Sequence, residues 1–224
     1  MIIDCHVHDS KYSKDSNLDF YEAVKEAKRI GLDGICITNH DNNLIRNEIW
    51  DSAYIDGILV IVGAEVLTFE GDILTFGLKD IPNEIISAEE LLNLVKKNNG
   101  IAIAAHPFRN NNRGIGNNMI RLAPLLTGVE AFNGSTYYEH NMEAYRLANR
   151  LDLPVLGASD AHRAIKLGTY ATYFEANIRD HIDFIEAVKY SNYYPVMRKG
   201  SGFVSACPEI KRSGLNNSLI KDII

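Results

Sequence analysis

Short runs of β-branched and small apolar residues alternate with amphipathic stretches along almost the whole chain, and this alternation restricts the fold more than any other feature. Ile2 to His8 reads as a strand. Phe20, Ala23, Val24, Ala27 and Ile30 follow at helical spacing, and Gly31 closes that helix. Gly34–Thr38, Ile58–Val66 (with Gly63 inside it) and Ile73–Leu78 read as further strands. Ser87 and Glu90 form a capping box that opens a helix running to about Asn98. Strands at Ile101–Ala105, Val129–Phe132, Pro154–Gly157 and Thr169–Phe174 complete the series, with helices over roughly Tyr138–Leu151 and Asp180–Tyr190. Strands separated by helices build parallel βαβ units. About seven such units in 224 residues suit a single-domain α/β barrel better than an open sheet. No G-x-G-x-x-G follows the first strand, so a dinucleotide-binding fold has no support.

The ligand-type side chains fall on that map in a non-random way. His6 and His8 are two apart at the end of the first strand, so both point to one face, with Cys5 and Val7 on the other. His40 ends the second strand, Glu65 the third, and His106 the strand after the capped helix. Asp160 and His162 end a late strand. The C-terminal ends of parallel barrel strands are where such folds place active sites. Apolar cores do not collect titratable groups, so this convergence points to metal ligation. His140 and His181 sit near helix starts instead and read as surface or capping residues.

Composition limits the partners. The net charge of −6 argues against long contacts with duplex nucleic acid. It leaves a phosphorylated substrate open, because divalent ions would make an acidic pocket locally positive. Three widely spaced cysteines, Cys5, Cys36 and Cys207, suggest a reducing cytoplasm and no disulfide framework. There is no signal-peptide pattern and no apolar run near ~20 residues, so no membrane association is expected.

In order and spacing, Asp4-Cys5-His6-Val7-His8, Thr38-Asn39-His40, Gly63-Ala64-Glu65, His106-Pro107 and Ser159-Asp160-Ala161-His162 resemble the successive motifs of the PHP family, the polymerase and histidinol phosphatase domain. The resemblance spans roughly residues 1–200. It implies a distorted (β/α)7 barrel over 1–200, with 201–224 as a C-terminal tail packed on it. It also implies a metal-dependent phosphoesterase with three divalent ions (Mn, Fe or Zn). His6, His8, Asp160 and a bridging Glu65 would hold the first ion, and His106 with Glu65 the second. His40 and His162 would hold the third, joined by Asp15 from the loop after His8. Asp72, in Gly71-Asp72-Ile73, stands where relatives often carry a His; a carboxylate there would shift preference toward Mn or Fe(II). Two further positions depart from the pattern. Asn39 replaces the usual Asp, and Asp9 replaces the usual Ser or Thr.

The expected chemistry is hydrolysis of a phosphate ester by a metal-bound hydroxide, with no protein nucleophile. Arg109, in the Asn/Gly-rich loop after His106, is the first candidate for a phosphate contact, followed by Arg113 and Arg163. The expected substrate is a small phosphorylated metabolite or nucleotide. One alternative is a nuclease acting on short single-stranded nucleic acid ends. Others are an amidohydrolase, which usually needs a longer chain and often a bridging Lys, and a non-catalytic metal-binding regulatory module.

Overall fold

The computed structural model describes residues 1–208. In chain order these form β1 (Ile2–Val7), α1 (Phe20–Ile30), β2 (Gly34–Ile37), α2 (Arg46–Ile49), β3 (Ser52–Ile55), β4 (Ile58–Val62), β5 (Ala64–Leu67) and β6 (Asp72–Phe76). Next come α3 (Ala88–Lys97), β7 (Ile101–Ala104), α4 (Asn118–Leu122), β8 (Gly128–Asn133), α5 (Tyr138–Arg150) and β9 (Val155–Ala158). The series ends with β10 (Tyr170–Phe174), α6 (His181–Tyr190), β11 (Tyr193–Lys199) and β12 (Gly202–Ser205). The expected capping chemistry is present. Gly31 closes α1 at φ 82°, and Asp19, not singled out in the sequence, caps its start by accepting from the Tyr21 and Glu22 amides. Ser87 and Glu90 cap α3 reciprocally.

The strands make two sheets where one closed barrel sheet was expected. A seven-stranded sheet runs β12-β11-β10-β1-β2-β4-β3, and a five-stranded one runs β5-β6-β7-β8-β9. Pairing is parallel through β1-β2-β4 and β7-β8-β9. However, β6 is antiparallel to both neighbours, and β10 is antiparallel to β1. The run Ile58–Val66, expected as one strand, divides at Gly63 into β4 and β5, which belong to different sheets. A Cβ at Gly63 would lie 2.5 Å from the Phe76 ring and 2.8 Å from the Thr75 carbonyl, so the chain can turn there only without a side chain. Isolated bridges, His40 to Glu65 and Val7 to Ala161, stitch the two sheets together across the seams.

Between the sheets lies an apolar interior of Ile3, Cys5, Cys36, Leu59, Ile61, Leu74, Phe76, Ile101 and Ile103. Helix α6 adds Phe184, whose ring meets Phe76 and Phe174 at 5.0 and 5.8 Å. α1 covers the outside of the first sheet, and α3 and α5 the outside of the second. The boundary expected at residue 200 falls inside the β11–β12 hairpin, so residues 202–205 are a sheet strand. The rest of the expected tail, 209–224, lies outside the described residues. No helix among the described residues is long and apolar enough to cross a membrane.

Candidate metal centre

The imidazoles and carboxylates singled out in the sequence converge at the end of the interior opposite Phe184. Three groups each bring ligand atoms within 4.8 Å of one another: His6, His8 and Asp160; His6, Glu65 and His106; and His8, His40 and His162. Glu65 is the hub. Its Oε1 is 2.7 Å from His106 Nε2, and its Oε2 is 2.8 Å from His40 Nδ1, 3.4 Å from His8 Nε2 and 3.5 Å from His6 Nε2. Asp160 Oδ1 lies 3.3 Å from His8 Nε2 and 3.5 Å from His6 Nε2. Asp15 reaches His40 and His162 at 3.1 and 3.3 Å from an exposed loop. Asp72 is fully buried, with Oδ2 3.8 Å from His106 Nε2. Asp15 and Asp72 are thus at the cluster's edge, while His6 and His8 each serve two groups.

Local backbone irregularity makes this convergence possible. β1 carries one extra residue between Asp4 and Val7 relative to β2. A bulge of this kind re-aims side chains. Cys5 and Val7, expected on one face, therefore separate: Cys5 packs in the interior and Val7 against α1. β8 has a matching irregularity between Glu130 and Phe132. His106 and Asp160 have φ of 29° and 52°, a left-handed backbone that non-glycine residues seldom hold unless the surroundings impose it.

The charges are strongly coupled. Burial would lower the His6 pKa, but Glu130, Asp160 and Glu65 outweigh burial and hold it well above the usual histidine value. Burial dominates at His8, pulling it down to about 4. Burial favours the neutral acid at Glu65, yet His6, His106 and His40 keep its carboxyl well below the usual range. Burial and the neighbouring Glu65 push Asp72 up to about 7, against the opposing pull of Arg113.

Over the cluster lies a cavity of about 530 Å³ lined by Tyr12, Asp15, His40, Arg109, Arg113 and His162, among others. Arg109 donates to Asp160, to Asn133 Oδ1 (2.7 Å) and to Thr136 Oγ1 (3.1 Å). Arg113 donates to Asp72 Oδ2 at 2.6 Å. Its loop docks on Gly71, where a Cβ would sit 2.7 Å from the Arg113 carbonyl. Arg163, the third expected arginine, is exposed and does not line the cavity. In extended conformation, it precedes a 3-10 turn over Ala164–Lys166. The sequence reading missed Glu130, which is buried and accepts from His6 Nδ1 (2.9 Å) and the His106 amide (2.8 Å). It also passed over Asp4, whose carboxylate accepts from the Ser159 and Gly168 amides, both at 2.9 Å, and which burial raises to about 6. A carboxylate inside an apolar strand run was the available signal for both.

A family model described as PHP-associated matches residues 138–192, from α5 to the residue before β11. An uncharacterized protein of Methanocaldococcus jannaschii is 35% identical over 147 residues, which cover 59% of this chain and 82% of that protein. The chain belongs to the PHP family. Among solved structures, PsfC from Pseudomonas syringae PB-5123 superposes with a TM-score of 0.70 at 20% identity, covering 89% of this chain and 92% of that one. A two-domain protein from Bacteroides vulgatus, described as containing a predicted PHP-like metal-dependent phosphoesterase, gives a TM-score of 0.65 at 21% identity, covering 87% and 64%.

Within this PHP fold the donor set suits divalent ions. Glu65 Oε2, Asp72 Oδ1 and His106 Nδ1 are buried polar atoms without a hydrogen-bond partner. Such orphans are costly unless something else satisfies them. Glu65 Oε2 in particular faces three imidazole nitrogens within 3.5 Å while accepting no hydrogen bond. Imidazole with carboxylate is a ligand set for Zn, Fe or Mn.

Proposed function

We propose that this protein is a metal-dependent phosphoesterase that hydrolyses the phosphate ester of a small metabolite or nucleotide. The observation that carries the reading is the arrangement of three groups of ligand-type side chains, two including a carboxylate and one of histidines alone, beneath a cavity whose rim holds Arg109 and Arg113. His6, His8, Glu65 and Asp160 would hold one divalent ion, His106 with Glu65 and Asp72 a second, and His40, His162 and Asp15 a third. Divalent ions there supply Lewis acidity toward a phosphoryl oxygen and lower the pKa of water. The chain's own contribution is positioning. Arg109 and Arg113 present guanidinium groups to a phosphate dianion entering between the loops after β1 and β7. Their present partners, Asp160 and Asp72, keep them preorganised at the rim. The cavity volume falls within the range typical for small ligands.

Elemental analysis of the purified protein, followed by p-nitrophenyl phosphate turnover after reconstitution with Mn(II), Fe(II) or Zn(II), tests the proposal. Bound metal with turnover that chelation abolishes is the expected result. Bound metal without turnover of any phosphate ester favours the regulatory-module reading, and turnover of an amide or lactam instead favours the amidohydrolase one.

A further inference from the structure

Four side chains beside the cluster form a hydrogen-bond chain whose direction can be worked out atom by atom. Asp9, Ser13 and Asn39 are each 1% exposed and His8 is fully buried, so water does not complete their bonding. The Asp9 amide donates to Asn39 Oδ1 at 3.0 Å, and Asn39 Nδ2 donates to Asp9 Oδ2. A main-chain N–H can only donate and a carboxylate can only accept. Together they fix which end of the Asn39 amide is oxygen. That oxygen also accepts the Ser13 hydroxyl at 3.0 Å. Ser13 has a single proton, and it is now committed. Its oxygen accepts the His40 amide at 3.1 Å and faces His8 Nδ1 at 3.3 Å. The contact with His8 can therefore only be accepted by Ser13, which places the His8 proton on Nδ1 and leaves Nε2 bare. Nε2 is the atom that faces His6 Nε2 at 2.9 Å and, beyond it, Asp160 and Glu65, so a bare His8 Nε2 accepts where His6 donates.

We propose that Asn39 is a positioning residue that sets the tautomer of His8 through Ser13, and that Asp9 holds Asn39 in the orientation this requires. The consequence for ligation rests on the metal-centre reading above, since a bare Nε2 is what a cation needs. The tautomer itself does not. Asp9 and Asn39 both depart from the motif pattern, and they do so in contact with each other. A carboxylate at 9 and an amide at 39 share one hydrogen bond, with the charge on the residue 9 side. The Lys11 amide, 2.8 Å from Asp9 Oδ1, satisfies the other oxygen of that carboxylate.

Long-range proton–nitrogen NMR spectra of chelator-treated, 15N-histidine-labelled protein at pH 7.5 test this, with the His8 signal assigned from its loss in His8→Gln. The expected result is protonation at Nδ1 in the wild type. Asn39→Leu frees the Ser13 hydroxyl to donate to His8, so the His8 proton moves to Nε2, where His6 Nε2 must accept it, and calorimetric Mn(II) affinity falls at least about 10-fold. Asn39→Asp alone sets two carboxylates face to face and also weakens Mn(II) binding. Asp9→Asn combined with Asn39→Asp reverses donor and acceptor across the same bond, and restores affinity while the His8 proton stays on Nδ1. A wild-type His8 protonated at Nε2, or an Asn39→Leu protein still protonated at Nδ1, overturns the proposal. So does a double variant no better than Asn39→Asp. Absence of phosphatase activity would leave the tautomer result intact and count only against the proposed reaction.

Discussion

The same strands fill the two ends of the molecule's interior with opposite chemistry. At one end Phe76, Phe174 and Phe184 pack ring against ring, each at most 1% exposed. At the other, His6, His8, Glu65, His106 and Asp160 are buried just as deeply. The apolar end keeps to regular ladders, with Phe76 opposite Ile101 and Tyr173 opposite Ile2. The polar end departs from them through the bulges in β1 and β8 and the left-handed residues His106 and Asp160. Regular pairing suffices to bury hydrocarbon. Bringing five ligand groups to one point takes distortions, and the packed end supplies the stability to hold them.

If that division of labour is right, changes at the two ends have different readouts. Glu65→Ala removes the hub shared by the cluster, and metal-assisted stabilisation of a phosphoryl transition state amounts to several kcal/mol. The kcat/KM for p-nitrophenyl phosphate should fall by about 10³-fold or more, with loss of bound metal by elemental analysis. A variant retaining most of its activity would remove Glu65 from the site. Phe184→Ala leaves the site untouched but opens a cavity at the plug. Urea unfolding should show a loss of about 3–5 kcal/mol, with kcat/KM of the folded enzyme unchanged. A parallel fall in activity would mean that the ends are not independent.

This contrast also separates what could be read from the sequence from what could not. Helix caps are local, so Gly31, Ser87 and Glu90 announce the end of α1 and the start of α3; the Asp19 cap of α1 was overlooked although it is equally local. Ligand residues at strand ends stand out because histidine is rare in apolar runs. The β3–β4 hairpin was missed although Asp56-Gly57, both at positive φ, is a two-residue turn signal. The break at Gly63 was not legible, because it depends on Phe76 packing from thirteen positions away. Bulges leave no local trace either, so the separation of Cys5 from Val7 could not be foreseen. Glu130 and Asp4 each put a carboxylate into an apolar strand run, a signal that was there to read, but only the fold shows which groups they hold.

Asp4 offers a smaller test of the polar end. Its folded-state pKa, raised from 3.8 to about 6 by burial, means that the native state holds this proton more tightly than the unfolded chain. Its contribution is fully present below about pH 4 and is lost as pH rises through about 6, a total of about 3 kcal/mol. Asp4→Asn cannot titrate. In chelator-treated protein, the stability difference between wild type and Asp4→Asn should therefore move in the variant's favour by up to that amount between pH 4 and 7. Thermal melts across that range measure it, and a constant difference would show that Asp4 is not the proton-holding group.

Glu130→Gln is the finest probe of the same end, because it changes one atom without changing shape. Glu130 accepts from two directions, His6 Nδ1 and the His106 amide. Glutamine has only one accepting oxygen. The His106 amide is an obligatory donor, so the oxygen turns to it and the NH2 group faces His6. His6 must then accept at Nδ1 and carry its proton on Nε2, the nitrogen facing Glu65 and Asp160. Metal affinity should drop about 10–100-fold by calorimetry, while the melting temperature of the chelated protein changes little, since the apolar end is untouched. Unchanged affinity would mean that His6 Nε2 is not a ligand atom, and that the polar end is organised around His8, Glu65 and Asp160 without it.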